Sequence, residues 1–174
     1  MAFPPAAAGM TAQLTIESST NGVWAGILAS YKTFANGYFI CPEVYVNVGT
    51  ANPGKADLVI RKVNAALPNN TGEMIFVYEG KKAGTTTDIY GAATQLKGYL
   101  KDQHIKDFAG RRYGMVAVGN LCAFVVYNGG TTYYYINAGT VHPNPNATTM
   151  TVYQVGTHNN QISQILTYLN NTIQ

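Results

Sequence analysis

The run Met74-Ile75-Phe76-Val77-Tyr78 is the feature that most limits how this chain folds. Five consecutive apolar residues without alternation indicate a central strand that is covered on both faces of a sheet. Glu79 ends the run and Lys81 follows two residues later, so ionisable groups lie where the pattern otherwise predicts a buried strand. Charged side chains are rarely buried without a partner or a metal ion, so these two residues require an explanation.

A second acid lies at the start of another strand. Residues 44–48 and 56–60 are β-rich runs, and Asn52-Pro53-Gly54 between them has the composition of a hairpin turn. This interpretation places Asp57 at the beginning of the second strand and Glu79 at the end of the third. Two carboxylates and a lysine therefore border strands that are otherwise apolar.

The other elements follow from periodicity and turn residues. Apolar residues recur at helical spacing in three segments, which predicts helices over residues 20–34, 88–103 and 162–169. Asp88 is the predicted N-cap of the second helix, and the dipeptide Asn21-Gly22 leaves a hairpin turn as the alternative to the first. Further strands are predicted at residues 113–118, 123–127 and 133–136. The order α-β-β-β-α-β-β, followed by one strand and one helix, indicates an α/β fold.

Composition sets limits on the class of protein. The chain has 174 residues, enough for one domain with a sizeable core and too few for two ordinary ones. Charged residues make up 11%, and a net charge of +3 does not by itself indicate nucleic-acid binding. All 11 Lys and Arg residues lie between Lys32 and Arg112, and no Asp, Glu, Lys or Arg follows. Any basic surface therefore comes from the middle of the chain.

The chain shows no targeting or membrane signal. Its start lacks the basic and long apolar regions of a signal peptide, and no apolar run has membrane-spanning length. We therefore expect a soluble intracellular protein, in the cytoplasm or nucleus, with no membrane partner. Cys41 and Cys122 are expected to be free, buried thiols, because disulfides are rare without a secretory signal.

Three motifs occur in a fixed order: Asp57 on a hairpin strand, Glu79-Gly80-Lys81 on a central strand, and Gln95-Leu96-Lys97-Gly98-Tyr99 on a helix. This arrangement resembles the PD-(D/E)XK nuclease superfamily, and the Gln-x-x-x-Tyr motif resembles its RecB-like branch. The resemblance covers about residues 20–127. It implies a restriction-endonuclease-like mixed central sheet flanked by helices, with an extra C-terminal strand and helix.

The resemblance divides the chain into an N-terminal extension, residues 1–19, and a single nuclease-like domain, residues 20–174. Two features depart from the family pattern. Ala56 stands where the family name has a Pro, and the N-terminal acid often found in this branch has no unambiguous counterpart. Glu17 is the only acid before Glu43, and it approaches the metal if the first helix extends back to include it. A surface Glu favoured by the helix dipole is the alternative.

The resemblance implies a metal-dependent nuclease that hydrolyses phosphodiester bonds, with DNA as the favoured nucleic-acid partner. Asp57 and Glu79 are hard oxygen ligands suited to Mg²⁺ or Mn²⁺. The carbonyl of Gly80 is implied as a further ligand. Lys81 is then the catalytic lysine, which orients the attacking water or stabilises the transition state.

Several alternatives stay open at the level of sequence. Gln95 and Tyr99 are implied to support the site and contact the substrate backbone, but a polar helix flank with a half-buried Tyr explains them equally. The two acids have a structural explanation as strand-end salt bridges with Lys55, Lys81 or Lys82. The chain is alternatively a catalytically silent module that binds nucleic acid or protein, or a neutral self-associating domain. A homodimer is also open, because the late Tyr-rich strands imply an exposed sheet edge.

Overall fold

The computed structural model describes Pro4, Gly9 and residues 14–32, 36–47, 53–63, 72–130, 133–136, 143–144 and 150–174. Over these residues the elements are, in chain order, α1 (Glu17–Tyr31), β1 (Tyr38–Val46), β2 (Gly54–Lys62), β3 (Glu73–Lys81), α2 (Thr86–Tyr99), β4 (Arg112–Val118), β5 (Leu121–Tyr127), β6 (Tyr133–Ile136), β7 (Pro143–Asn144), β8 (Tyr153–Gln154) and α3 (Asn159–Thr172). Asn52 of the predicted turn and most of the predicted N-terminal extension lie outside the described residues.

A mixed sheet organises the described part of the chain. Its strand order is β1-β2-β3-β4-β5-β6-β7, and β8 pairs with β5. β3 and β4 are parallel, while the other neighbours are antiparallel. A parallel pair needs a crossover connection, and α2 lies in the connection from β3 to β4. β3 is therefore a central strand, as the apolar run predicted, and Val77 and Tyr78 are fully buried.

Helices cover both faces of the sheet. α1 and α3 contribute to one apolar cluster, which includes Trp24, Tyr78 and Leu166. α2 contributes to a second cluster on the other face, which includes Leu96 and Val77. Neighbouring residues of β3 thus alternate between two cores, because successive side chains of a strand point to opposite faces. Burial of each such side chain contributes about 2 kcal/mol.

The predicted order holds through the strand at residues 133–136, but the short strands β7 and β8 were not predicted. α3 extends three residues beyond its prediction at each end, and the ends of the first two helices differ as well. α1 begins at Glu17, three residues before the predicted start. α2 is capped by Thr85, and Asp88 is its third residue; the Asp88 carboxylate accepts the Thr85 N–H at 2.6 Å and completes a capping box. The predicted cap was therefore wrong. α2 ends at Tyr99 instead of residue 103, because the Asp102 carboxylate accepts a nearby backbone N–H and competes with helix formation.

Both cysteines are free thiols, as predicted. Cys122 is buried and burial raises the pKa of its thiol, whereas Cys41 is half-buried. Among the described residues, no helix has the length and apolar character needed to cross a bilayer. The division into an extension and a single domain stays a prediction.

Candidate functional site

Two of the predicted site residues lie side by side on neighbouring strands. Leu58 of β2 pairs with Tyr78 of β3 in the antiparallel register, so Asp57 and Glu79 are the next residues on the two strands. The Gly80 N–H donates to Asp57 Oδ2 at 2.7 Å. This hydrogen bond fixes the half-buried Asp57 carboxylate at the end of β3, beside Glu79.

Glu79 is a buried carboxyl group within an otherwise apolar strand, with only 1% of the residue exposed. Lys81 Nζ donates to Glu79 Oε1 at 2.5 Å and forms a salt bridge. Glu79 Oε2 is also buried, and it has no hydrogen-bond partner among the described residues. Leaving a buried carboxylate oxygen unpaired costs free energy. The salt bridge therefore satisfies only one of the two carboxylate oxygens of Glu79.

The charges around Glu79 alter its protonation. Burial raises the pKa of Glu79 from 4.5 to about 7, against the hydrogen bond from Lys81 and in the same direction as the charge of Asp57. Burial lowers the pKa of Lys81, but the hydrogen bond and the charge of Glu79 outweigh it, so the pKa of Lys81 is raised overall. At neutral pH Lys81 is therefore an ammonium, while Glu79 titrates. A cation placed beside Glu79 favours its ionised form.

Gln95 and Tyr99 lie one turn apart on α2 and connect it to β2. Gln95 Nε2 donates to Tyr99 Oη at 2.5 Å, and Tyr99 Oη donates to the Lys55 carbonyl at 3.0 Å. The Tyr99 ring also packs on Gly54, where an added Cβ would lie 2.9 Å from Tyr99 Cδ1. These contacts fix α2 against the start of β2, two residues before Asp57.

An open cleft of about 430 Å³ lies between the N-terminal ends of α1 and α2, at the end of β3. Neither Asp57 nor Glu79 lines it, and the cleft reaches the site through Lys81. Glu17 lines it from α1, Lys81 from the end of β3, and Gln95 from α2. The exposed Lys82 lines it as well. Because α1 begins at Glu17, this acid belongs to the helix and faces the same cleft as Lys81, the condition under which it was expected to approach the site.

The oxygen donors at this position fit a hard divalent cation. Asp57 and Glu79 supply carboxylates, and Glu79 Oε2 is available because nothing in the described chain bonds to it. Mg²⁺ is usually bound through one or two carboxylates together with water and substrate oxygens. Within the described ranges no three His, Cys, Asp or Glu side chains form a metal-binding group. Glu17 therefore lines the cleft without joining the two strand acids in such a group.

Within the described part of the chain, strand-end salt bridges, the alternative explanation for the two acids, form for Glu79 but not for Asp57. Lys55 pairs with Glu43 at 3.0 Å instead of with Asp57. Asp57 instead accepts the backbone N–H of Gly80. Among the described residues, the salt bridge between Glu79 and Lys81 is the one predicted strand-end pair that forms.

Two polar side chains whose oxygens are buried beside Gly80 were not predicted. Asn21 Oδ1 from α1 occupies the space that a side chain at position 80 would fill, and Tyr78 Oη lies 2.5 Å from the same Cβ position. Both oxygens are buried and lack hydrogen-bond partners among the described residues. In the sequence, Asn21-Gly22 indicated only that a hairpin turn was an alternative to the first helix. Gly80 was the available signal, because a glycine inside a strand often marks a close approach.

No protein-family model and no curated protein sequence matches the chain. Among solved structures, the fold is similar to that of a chain in a cryo-EM structure of a DrdV–DNA complex, with a TM-score of 0.58 and 12% sequence identity. The match covers 95% of this chain and 14% of the other. The predicted fold class, a restriction-endonuclease-like mixed sheet flanked by helices, is thereby confirmed. At this identity the similarity concerns the fold alone.

Proposed function

We propose that this chain is a metal-dependent nuclease that hydrolyses phosphodiester bonds of DNA. The observation that carries the proposal is the buried Glu79 carboxylate, whose Oε2 has no partner among the described residues although Asp57 lies beside it. Two neighbouring carboxylates repel each other when both are ionised, and a divalent cation relieves both the repulsion and the missing contact. The similar fold in the DrdV–DNA complex supports DNA as the substrate class.

Asp57, Glu79 and the Gly80 carbonyl would hold Mg²⁺ or Mn²⁺. When bound, the ion supplies charge neutralisation at the phosphate and a water of lowered pKa. Two groups are already oriented by the fold: the Gly80 N–H holds Asp57, and β3 fixes the backbone of Glu79 in the centre of the sheet. Such rigid support lowers the cost of ordering the ligands when the ion binds.

Lys81 is the proposed catalytic lysine. Its side chain is 33% exposed and lines the cleft, while its ammonium also contacts Glu79. It is therefore able to orient the attacking water and to stabilise negative charge on the phosphate, a preorganised electrostatic role. Lys82 lies next to it on the cleft wall and is suited to contact the phosphate backbone.

Gln95, Tyr99 and Glu17 complete the proposed site. Gln95 lines the cleft and contacts Tyr99, which suits it to touch the substrate backbone while Tyr99 supports the start of β2. Glu17 faces the cleft from α1 and would approach the ion or its waters. With these roles the chain would belong to the RecB-like branch of the PD-(D/E)XK superfamily.

The test is incubation of the full chain with linear, circular and single-stranded DNA, and with RNA, in Mg²⁺, Mn²⁺ or EDTA. We expect cation-dependent cleavage of DNA that Asp57→Ala and Lys81→Ala each reduce by at least about 100-fold, as expected for loss of a metal ligand or an electrostatic stabiliser. Lys55→Ala is the matched control, because this lysine pairs with Glu43 outside the cleft and its loss removes the same charge. Cleavage that survives both site substitutions would refute the proposal.

A catalytically silent module of the same fold is the second candidate. The observation that favours it is the salt bridge between Lys81 and Glu79, which partly neutralises the buried carboxylate without a cation. If the wild type cleaves no substrate but Mg²⁺ raises its melting temperature in an Asp57-dependent way, the silent module is supported, because a ligand that binds the native state stabilises it.

A homodimer is a separate proposal. The Tyr-rich strand β6 is not the exposed edge that was expected, because it pairs with both β5 and β7. β1 is at one edge of the sheet, and an edge strand has unpaired backbone groups that a second copy is able to bind. Light scattering across a concentration series tests it, and a constant monomeric mass would contradict it.

A further inference from the structure

We infer that Asn21 is a positioning residue for the proposed metal site, an inference that rests on the function proposed above. Asn21 follows Glu17 by four residues on α1, so the two side chains project from the same face of the helix. Glu17 lines the cleft, while Asn21 lies over Gly80 at the end of β3. α1 therefore meets the site through Asn21 as well as through its acid.

Gly80 is held from two sides. Its N–H donates to Asp57 Oδ2 at 2.7 Å, and the space next to its Cα is occupied by Asn21 Oδ1. Any side chain at position 80 would collide with this oxygen and with Tyr78 Oη. A shift of Asn21 thus changes the room available to the Gly80 backbone. The N–H of Gly80 orients Asp57, and its carbonyl is the proposed ligand.

The Asn21 carboxamide contributes little to folding in this arrangement. Its Oδ1 is buried without a partner among the described residues, and the neighbouring Tyr78 hydroxyl, on a residue with 0% exposure, is unpaired as well. Both oxygens lie close to one point, the Cβ position of Gly80. Unpaired buried polar groups in a native structure call for an explanation, and orientation of a neighbouring ligand group is one.

The expected consequence is a change in cation affinity with little change in folding. Asn21→Ala removes the oxygen over Gly80, so this side chain no longer restrains the Gly80 backbone. Because groups that orient metal ligands typically change affinity or activity by 10- to 100-fold, we expect the half-saturating Mg²⁺ concentration to rise about 10-fold or more. The rate at saturating Mg²⁺ should stay within about threefold of wild type, since the ligands and Lys81 are intact.

The experiment compares the full-length wild type with Asn21→Ala, Asn21→Asp and Ser18→Ala. DNA cleavage and the rise in melting temperature are each measured over a series of Mg²⁺ concentrations. Asn21→Asp keeps the shape and the oxygen over Gly80, so its half-saturating concentration should stay within about threefold of wild type or fall. Ser18→Ala is the control, because Ser18 is exposed on the same helix. It should match the wild type in both measurements.

The outcomes separate this inference from the proposed function. A raised Mg²⁺ requirement in Asn21→Ala alone, with an unchanged melting temperature in EDTA, supports it. A wild-type Mg²⁺ requirement in Asn21→Ala overturns the inference and leaves the nuclease proposal intact. A melting temperature in EDTA lowered by many degrees in Asn21→Ala assigns Asn21 to the fold and also overturns it. If Mg²⁺ affects neither the stability nor the activity of the wild type, both proposals fail.

Discussion

Replacing Glu79 by Gln should stabilise the metal-free protein at alkaline pH. Glu79 is 1% exposed, one of its oxygens has no partner among the described residues, and Asp57 lies beside it. An ionised carboxylate in these surroundings is disfavoured by burial and by the neighbouring charge. The isosteric amide removes the charge and keeps the shape, so it should relieve this cost while abolishing the proposed activity.

The magnitude follows from the pKa. Burial raises the pKa of Glu79 from 4.5 in the unfolded chain to about 7 in the folded protein. Between these values the folded protein binds more protons than the unfolded chain, so the free energy of unfolding falls as the pH rises. From pH 5 to pH 8 this group should lower the wild-type free energy of unfolding by about 2 to 3 kcal/mol. The loss is absent in Glu79→Gln.

The assay is urea unfolding of both proteins at pH 5 and pH 8 in EDTA. The measured quantity is the change in the free energy of unfolding between the two pH values, wild type minus variant, in which any constant cost of the amide cancels. Glu73→Gln is the control on the same strand. Glu73 pairs with Lys106 at 2.7 Å in a partly exposed position, so its loss should cost at most about 1 kcal/mol.

A difference below about 0.5 kcal/mol between pH 5 and pH 8 would refute this reasoning, because the carboxylate would then be solvated or fully paired by Lys81. A second check uses the cation. Mg²⁺ at pH 8 should raise the stability of the wild type and leave that of Glu79→Gln almost unchanged. The amide introduced in this variant is a much weaker ligand than a carboxylate, so the variant keeps only Asp57 as a charged ligand.

Three other changes test the fold, two of them near the site and one in contact with the C-terminal end of α3. Tyr99→Phe removes the hydroxyl that donates to the Lys55 carbonyl and should lower the free energy of unfolding by about 1 kcal/mol in urea titrations. Gly119→Ala should cost about 1 to 3 kcal/mol in the same assay, because Gly119 has a φ of +57° and an added Cβ would lie 2.9 Å from Ala83 Cα. Burial lowers the pKa of Lys32 to about 8, so the folded protein releases this proton before the unfolded chain does; wild-type stability should rise above pH 8 relative to Lys32→Met, and an equal pH dependence of the two would contradict this.

Local patterns were sufficient to predict the order of the helices and of the strands up to β6, but not the two-residue strands β7 and β8. The uninterrupted apolar run of β3 identifies a central strand because both of its faces are buried, whatever the neighbours are. The ends of α2 depended on side-chain competition that periodicity does not detect. Thr85 and Asp88 form the capping box at one end, and Asp102 binds a backbone N–H beyond the other. Each boundary is decided by one or two hydrogen bonds, so it moves by a turn without altering the fold.

The positions of the strand residues in the candidate site were predictable, and the contact made by α1 was not. Asp57 and Glu79 are brought together by the antiparallel register of β2 and β3, and the sequence placed both residues on these strands. Asn21 meets Gly80 only because α1 crosses the sheet at a particular position and angle. That docking depends on the whole apolar cluster around Trp24, and no spacing within α1 encodes it.

Each end of β3 has a lysine–carboxylate pair, and the two pairs differ in how deeply the carboxylate is buried. Glu73 and Lys106 form a lysine–carboxylate contact at one end, in a partly exposed position that water stabilises and salt screens. Glu79 and Lys81 form a contact of similar length at the other end, but the carboxylate is 1% exposed and one oxygen is left without a partner among the described residues. A pair that served only to stabilise the strand would be more favourable at the more exposed end, where both groups keep part of their hydration. The buried pair lies at the end of β3 that is next to Asp57 and the cleft. The free-energy cost of burying this carboxylate therefore falls at the position on β3 where a bound cation would offset it.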